Sequence, residues 1–206
     1  MEMNFFTAKE LREAGHSEYL RKQASLFSEI AMENMSYRNF SQVINESKEE
    51  YDIFLSHSFS DKELILGLKK KIEEIGFSVY VDWLVDKQLD RNCVSRDTAD
   101  TLRNRMTSCK SLLYAFSDNS SKSVWMPWEL GFMDGIRENK VAVMQINEIT
   151  NLNKIDYKNQ EYLELYYIVD VMKSNRGKMC LWVNSSEDNT YVEYRNWLNG
   201  KAPFKH

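Results

Sequence analysis

The chain of 206 residues reads as an α/β protein, a doubly wound parallel five-stranded sheet with a helical N-terminal extension. Three observations predict this. From Tyr51 onward, short apolar runs of strand length alternate with longer segments of helical period, the pattern of a parallel sheet covered by helices on both faces. Before residue 50 only helix-like patterning occurs, among many charges. The composition, 43% apolar and 13% aromatic with only two prolines and seven glycines, supplies a core and leaves no room for long flexible linkers.

At the N-terminus, Thr7-Ala8-Lys9-Glu10 has the Thr-x-x-Glu spacing of a helix capping box. Leu11, Ala14, Tyr19, Leu20, Phe27, Ile30 and Ala31 then recur at helical spacing, predicting two or three short amphipathic helices that end in the polar run from Asn45 to Glu50. Such helices either cover the main domain or contact another protomer. The expected division is 1–49 for this extension and 50–206 for the α/β domain.

The first strand is predicted at Tyr51–Ser56. Asp61 is placed to cap a helix with Leu64, Ile65, Leu68 and Ile72 on one face, and Gly76 to end it. Strand two is expected at 77–81, followed by a charged connection over 82–97 and a helix over 98–107. Strand three is expected at 111–116, a helix at 123–138 and strand four at 141–146. A Tyr-rich helix near 161–172, a fifth strand at 179–183 and a terminal helix near 187–198 complete the reading.

Several classes are disfavoured. A net charge of −4 does not suit a general nucleic-acid binder, which needs a basic field. Cys93, Cys109 and Cys180 are odd in number and widely spaced, fitting neither a disulfide framework nor a zinc site. Three dispersed histidines, His16, His57 and His206, do not make a metal centre. There is no basic-then-apolar leader and no apolar run near the roughly 20 residues that span a bilayer, so a cytoplasmic protein without a membrane partner is expected.

In doubly wound folds, ligands sit beyond the C-terminal ends of the strands. Candidate chemistry therefore lies in Ser56-His57-Ser58-Phe59-Ser60, in Asp82-Trp83, and in Trp125-Met126-Pro127-Trp128-Glu129. None of these carries a dinucleotide-binding or P-loop glycine pattern, so side chains and helix ends must hold any nucleotide. Pro127 is tolerated only in the first turn of a helix, which puts Glu129 near a helix N-terminus with Trp125 one turn before it. Glu129 then serves either the helix end or a ligand, and Trp125 is either core or ring platform. Asp82 is either a turn former or a ligand contact, and His57 a hydrogen-bonded loop residue or a dinucleotide contact.

Four stretches resemble TIR (Toll/interleukin-1 receptor) domains in order and spacing. Tyr51–Ser56 is similar to their opening strand, and Gly76-Phe77-Ser78-Val79-Tyr80-Val81-Asp82 to their second strand and the start of the BB loop. The run 111–117 resembles the third strand. Ser123-Val124-Trp125-x-x-x-Glu129-Leu130 is similar to the helix of enzymatically active members. The resemblance covers about 51–146 and implies a flavodoxin-like TIR fold that consumes NAD⁺ as substrate, with no cofactor and no metal. It implies that Glu129 is the catalytic glutamate, and that Ser56, His57, Phe59, Asp82, Trp83 and Trp125 line the dinucleotide site. It also implies homo-oligomers through TIR–TIR contacts. At system level the chain resembles the signal-making component of Thoeris antiphage defence, whose nucleotide messenger reaches a separate effector. Two departures are His57, where relatives often carry a basic residue, and a BB loop, Asp86-Lys87-Gln88-Leu89-Asp90-Arg91, without glycine or proline. The competing readings are a non-catalytic TIR adaptor and a nucleoside deoxyribosyltransferase-like N-glycosidic enzyme.

Overall fold

The computed structural model describes residues 4–33, 50–86, 95–146, 157, 160–187 and 189–206. The polar run before Glu50, the BB loop beyond Asp86, Cys93 and the loop after Ile146 lie outside the described residues.

The described extension is one helix, α1 (Ala8–Glu33), where shorter helices were expected. Its capping box is made as the spacing predicts: the Thr7 N–H donates to Glu10 at 2.9 Å and the Glu10 N–H to the Thr7 hydroxyl at 3.2 Å. From β1 (Tyr51–Ser56) the chain enters a 3₁₀ turn (Phe59–Asp61) and α2 (Lys62–Ile75), which ends at Gly76 with φ 104°. A left-handed residue there costs glycine nothing and stops the helix within one turn. Next come β2 (Val79–Tyr80), α3 (Asp82–Val85), α4 (Arg96–Thr107), β3 (Cys109–Phe116), α5 (Trp125–Ile136) and β4 (Val141–Gln145).

The eight strands among the described residues form one sheet in the order β2-β1-β3-β4-β5-β6-β7-β8. The first five, ending with β5 (Tyr167–Lys173), are parallel, which is the flavodoxin-like order. Here the structure corrects the reading of the C-terminal third. The stretch expected to be a Tyr-rich helix is a 3₁₀ turn (Glu161–Leu165) followed by β5, which supplies the fifth parallel strand. The predicted fifth strand is β6 (Met179–Asn184), and it runs antiparallel. The predicted terminal helix is β7 (Thr190–Glu193) plus a short α6 (Tyr194–Leu198), followed by β8 (Phe204–Lys205).

Helices cover both faces, each with its own core. Under α1, α2 and α6, Leu11, Ile65, Leu68, Ile72 and Trp197 pack on Ile53, Leu55 and Leu113. Under α4 and α5, Leu102, Met106, Met126 and Met133 pack on Phe54, Leu112, Tyr114 and Val143. The extension meets the domain at backbone contact distance. A Cβ at Gly67 would lie 1.9 Å from the Leu11 carbonyl oxygen, and one at Gly15 would lie 2.2 Å from that of Glu63. Only glycine permits α1 and α2 to cross so closely. Cys109 and Cys180 are free and buried, and burial pushes the Cys109 thiol up to about 12. Among the described residues, no helix is long and apolar enough to cross a membrane.

Candidate active site at the ends of strands one and three

Strands β1 and β3 are hydrogen-bonded neighbours, and the chain leaves β1 on one face of the sheet and β3 on the other. That switch point opens a crevice at the C-terminal ends of the strands. Ser56 is the last residue of β1 and lies beside Tyr114 of β3. Pro127, third in α5, leaves the helix start undisturbed, and Glu129 follows within the second turn.

The crevice brings Ser56 and Glu129 together across 73 residues: the Ser56 hydroxyl donates to the Glu129 carboxylate at 2.6 Å. Both are fully buried. A carboxylate hidden this deeply is held by a preset donor, and any ribose that reaches it must displace the groups around it. Trp125 is 7% exposed and packs edge-to-face on Trp128 with ring centroids 5.4 Å apart, inside the α4–α5 core.

His57 is also buried. Its Nδ1 lies 2.8 Å from the Leu55 carbonyl oxygen, which can only accept, so Nδ1 carries a proton. Its Nε2 accepts the Trp83 indole N–H at 3.1 Å and so holds a lone pair: the ring is the neutral Nδ1–H tautomer. Asp82, 2% exposed and first in α3, stands with Oδ1 3.5 Å from the same Nε2. Phe59 is 44% exposed under the Lys62 ammonium, 3.7 Å from its ring centroid, and the same ammonium lies 5.8 Å from the Trp83 ring. Thus Ser56 and Glu129 form one group, while His57, Asp82, Trp83 and Phe59 form a second one along the loops after β1 and β2.

Two constellations escaped the sequence reading. Asp61 occupies the N-cap position of α2, yet its side chain makes no capping bond. Its carboxylate instead accepts from the Ser117 hydroxyl at 2.5 Å and the Asn119 amide at 2.7 Å, in the loop after β3. Asp86, at the root of the BB loop, accepts from Tyr80 at 2.6 Å and from two Arg105 nitrogens at 2.9 and 2.7 Å. Burial pushes its carboxyl up, but the Arg105 and Tyr80 bonds outweigh that and hold it below the ordinary range. Burial, with Asp86 alongside, raises the Tyr80 phenol. Asp61 and Asp86 both had a local reading, as cap and as loop charge. Their partners Ser117 and Arg105 lie 56 and 19 residues away, and no spacing rule reaches them.

A ThsB′ protein of Bacillus cereus (strain MSX-D12), which bears the name of a 3′ cyclic ADP-D-ribose synthase, is 49% identical over 164 residues, covering 79% of this chain and 80% of that one. This chain belongs to the same TIR family. A second family protein, TIR2 of Cytobacillus dafuensis, also bears the name of a cyclic ADP-D-ribose synthase. It is 29% identical over 119 residues, 56% of this chain and 31% of that one. No family model matches the chain. As a TIR protein the chain keeps the parallel five-strand order and adds the antiparallel strands β6, β7 and β8 at one edge.

Proposed function

We propose that this TIR protein cleaves the nicotinamide–ribose bond of NAD⁺ and closes the ADP-ribosyl unit into a cyclic ADP-ribose isomer. The observation that carries the reading is the buried Glu129 carboxylate, braced by Ser56 at the β1–β3 crevice. The names of the two relatives support it.

The chemistry needs little more. Nicotinamide leaves a cationic pyridinium as a neutral base and takes the C–N electron pair with it, so no acid has to protonate it. Positive charge develops on the ribose, as in glycoside hydrolysis, and a fixed carboxylate beside it stabilises that cation. Attack by a hydroxyl of the distant ribose gives the cyclic product; attack by water gives linear ADP-ribose. Either nucleophile loses its proton as the new C–O bond forms, and Glu129 is the base placed to receive it. Trp83 and Phe59 offer ring surfaces, and Trp125 lies one turn before the carboxylate on α5. His57 fixes the Trp83 indole by accepting its N–H at Nε2, and Asp82 stands beside that contact.

Sealing Glu129 from solvent fits an enzyme that is restrained until protomers meet, and the TIR–TIR contacts of a homo-oligomer are the natural trigger. The pool consumed is cytoplasmic NAD⁺, and the product serves as a messenger for a separate effector, as in the Thoeris systems that the sequence resembles. Incubating the purified chain with NAD⁺ over a wide concentration range, with products identified by mass, tests this. Nicotinamide plus a product one water lighter than ADP-ribose is expected. A folded protein that releases no nicotinamide at any concentration excludes the enzyme and leaves the adaptor role.

A further inference from the structure

We infer that Asp61 is a positioning residue that sets the place of Glu129 by tying the loop after β1 to the loop after β3. The inference rests on NAD⁺ cleavage at Glu129 being the reaction.

Asp61 ends the 3₁₀ turn that begins at Phe59, just after Ser56 and His57, and it directly precedes α2. A carboxylate at that position ordinarily accepts an N–H of the first helical turn. Here it makes no such bond. The carboxylate is 5% exposed and turned toward the neighbouring loop, where Ser117 and Asn119 donate to its two oxygens at 2.5 and 2.7 Å.

What it grips is itself braced. The Ser117 N–H donates to the Ser120 hydroxyl at 2.7 Å, and the Asn119 N–H to the Ser117 hydroxyl at 3.2 Å. Ser120 is fully buried and opens the 3₁₀ turn Ser120–Lys122. That turn leads through Ser123, whose hydroxyl accepts the Met126 N–H at 3.3 Å, into the first turn of α5. An unbroken path of hydrogen bonds and backbone thus runs from Asp61 to the helix that carries Trp125 and Glu129. The Ser56–Glu129 bond closes the loop from the other side. Both loops leave the same end of adjacent strands, so the Asp61 tether fixes their separation where the ribose must sit. An error of about 1 Å in such a separation costs on the order of a hundredfold in rate.

The test compares the full chain with Asp61→Ala, with Ser117→Ala plus Asn119→Ala, and with all three changes together. Asp61→Ala should lower kcat for nicotinamide release by roughly tenfold to a hundredfold while KM moves less than about threefold. The Ser117/Asn119 pair removes the same tether without touching α2, so it should match that loss, and the triple variant should lose no more. It also decides the matter if Asp61→Ala fails to fold. A second readout needs no turnover: in chain labelled with fluorotryptophan, the ¹⁹F resonance of Trp125 should shift in each variant while that of Trp197 stays in place. An unchanged kcat, an unmoved Trp125 resonance, or losses that multiply in the triple variant each overturn the proposal. If the unaltered chain releases no nicotinamide, the NAD⁺ reading fails instead, and the resonances still report whether the tether positions α5.

Discussion

The parallel and antiparallel parts of the sheet share β5 but use their buried polar groups differently. In the parallel part every strand ends at the same edge, so the loops after β1, β2 and β3 converge. Ser56, His57, Asp61, Asp82, Ser117, Ser120 and Glu129 are buried together there and bond across loops. From β5 to β8 successive strands reverse, so their ends are dealt alternately to opposite edges and no shared crevice forms. Among the described residues one carboxylate is buried on that side, Asp170 of β5, and beyond it lie packed rings such as Tyr194 and Trp197, 5.1 Å apart. Strand direction, more than composition, decides which part can gather chemistry.

The comparison breaks first at Trp197. This ring is 1% exposed and packs on Tyr194 and Tyr167. Trp197→Ala should cost roughly 3–5 kcal/mol of stability, which calorimetry reads as a fall of about 6–20 °C. The KM for NAD⁺ should be unchanged in the fraction that remains folded. A large rise in KM would make the antiparallel part a partner in binding.

On the parallel side the expected loss is in rate. Glu129→Gln keeps the shape and the Ser56 acceptor but removes the charge. Nicotinamide release should fall at least about a hundredfold, close to 3 kcal/mol of transition-state stabilisation, with little change in melting. Near-normal turnover in a folded variant would end the assignment.

Asp170 tests the difference through pH. Burial is the main cause that raises its carboxyl to about 6, partly offset by the Asn184 side chain and the Asn4 backbone. The unfolded chain gives up this proton near the ordinary value of 3.8. Between those values the folded state holds the extra proton, so this group's contribution falls as pH rises from about 4 to 6 and stays low above. Asp170→Asn should flatten that part of the melting-versus-pH profile by roughly 1–3 kcal/mol. Parallel profiles for the two proteins would refute it.

The smallest effect is expected at Trp83, which is half-buried and hydrogen-bonded to His57. Trp83→Ala should raise the KM for NAD⁺ by about tenfold, within the worth of one ring contact. Its melting loss should be clearly below that of Trp197→Ala, because less of the ring is buried. A melting loss equal to that of Trp197 with KM unchanged would make Trp83 a core residue only.

Much of the parallel part was legible locally. Tyr51–Ser56 and the runs that became β3 and β4 are continuous apolar segments of strand length, as buried parallel strands must be. The period of α2 and the stop at Gly76 read directly, as did Pro127 in the first turn ahead of Glu129. The stretch 161–172 misled because Leu163, Tyr166 and Tyr167 fit a helical face, whereas pairing of 167–168 with β4 and of 168–173 with β6 imposes a strand. The first part of 187–198 failed for the same reason, since β7 exists only through its pairing with β6 and β8, whereas Tyr194–Leu198 is helical as expected.

By itself, then, the sequence determined the alternation of elements, the family and the helix that holds Glu129, because each is written in neighbouring residues through hydrophobic period, caps and turn formers. Tertiary structure alone decided the antiparallel strands, the docking of α1 through Gly15 and Gly67, the Ser56 partner of Glu129, and the use of Asp61 as a tether in place of a cap. Those depend on which distant groups the sheet brings within about 3 Å, and hydrogen bonds form at that range whatever the separation along the chain.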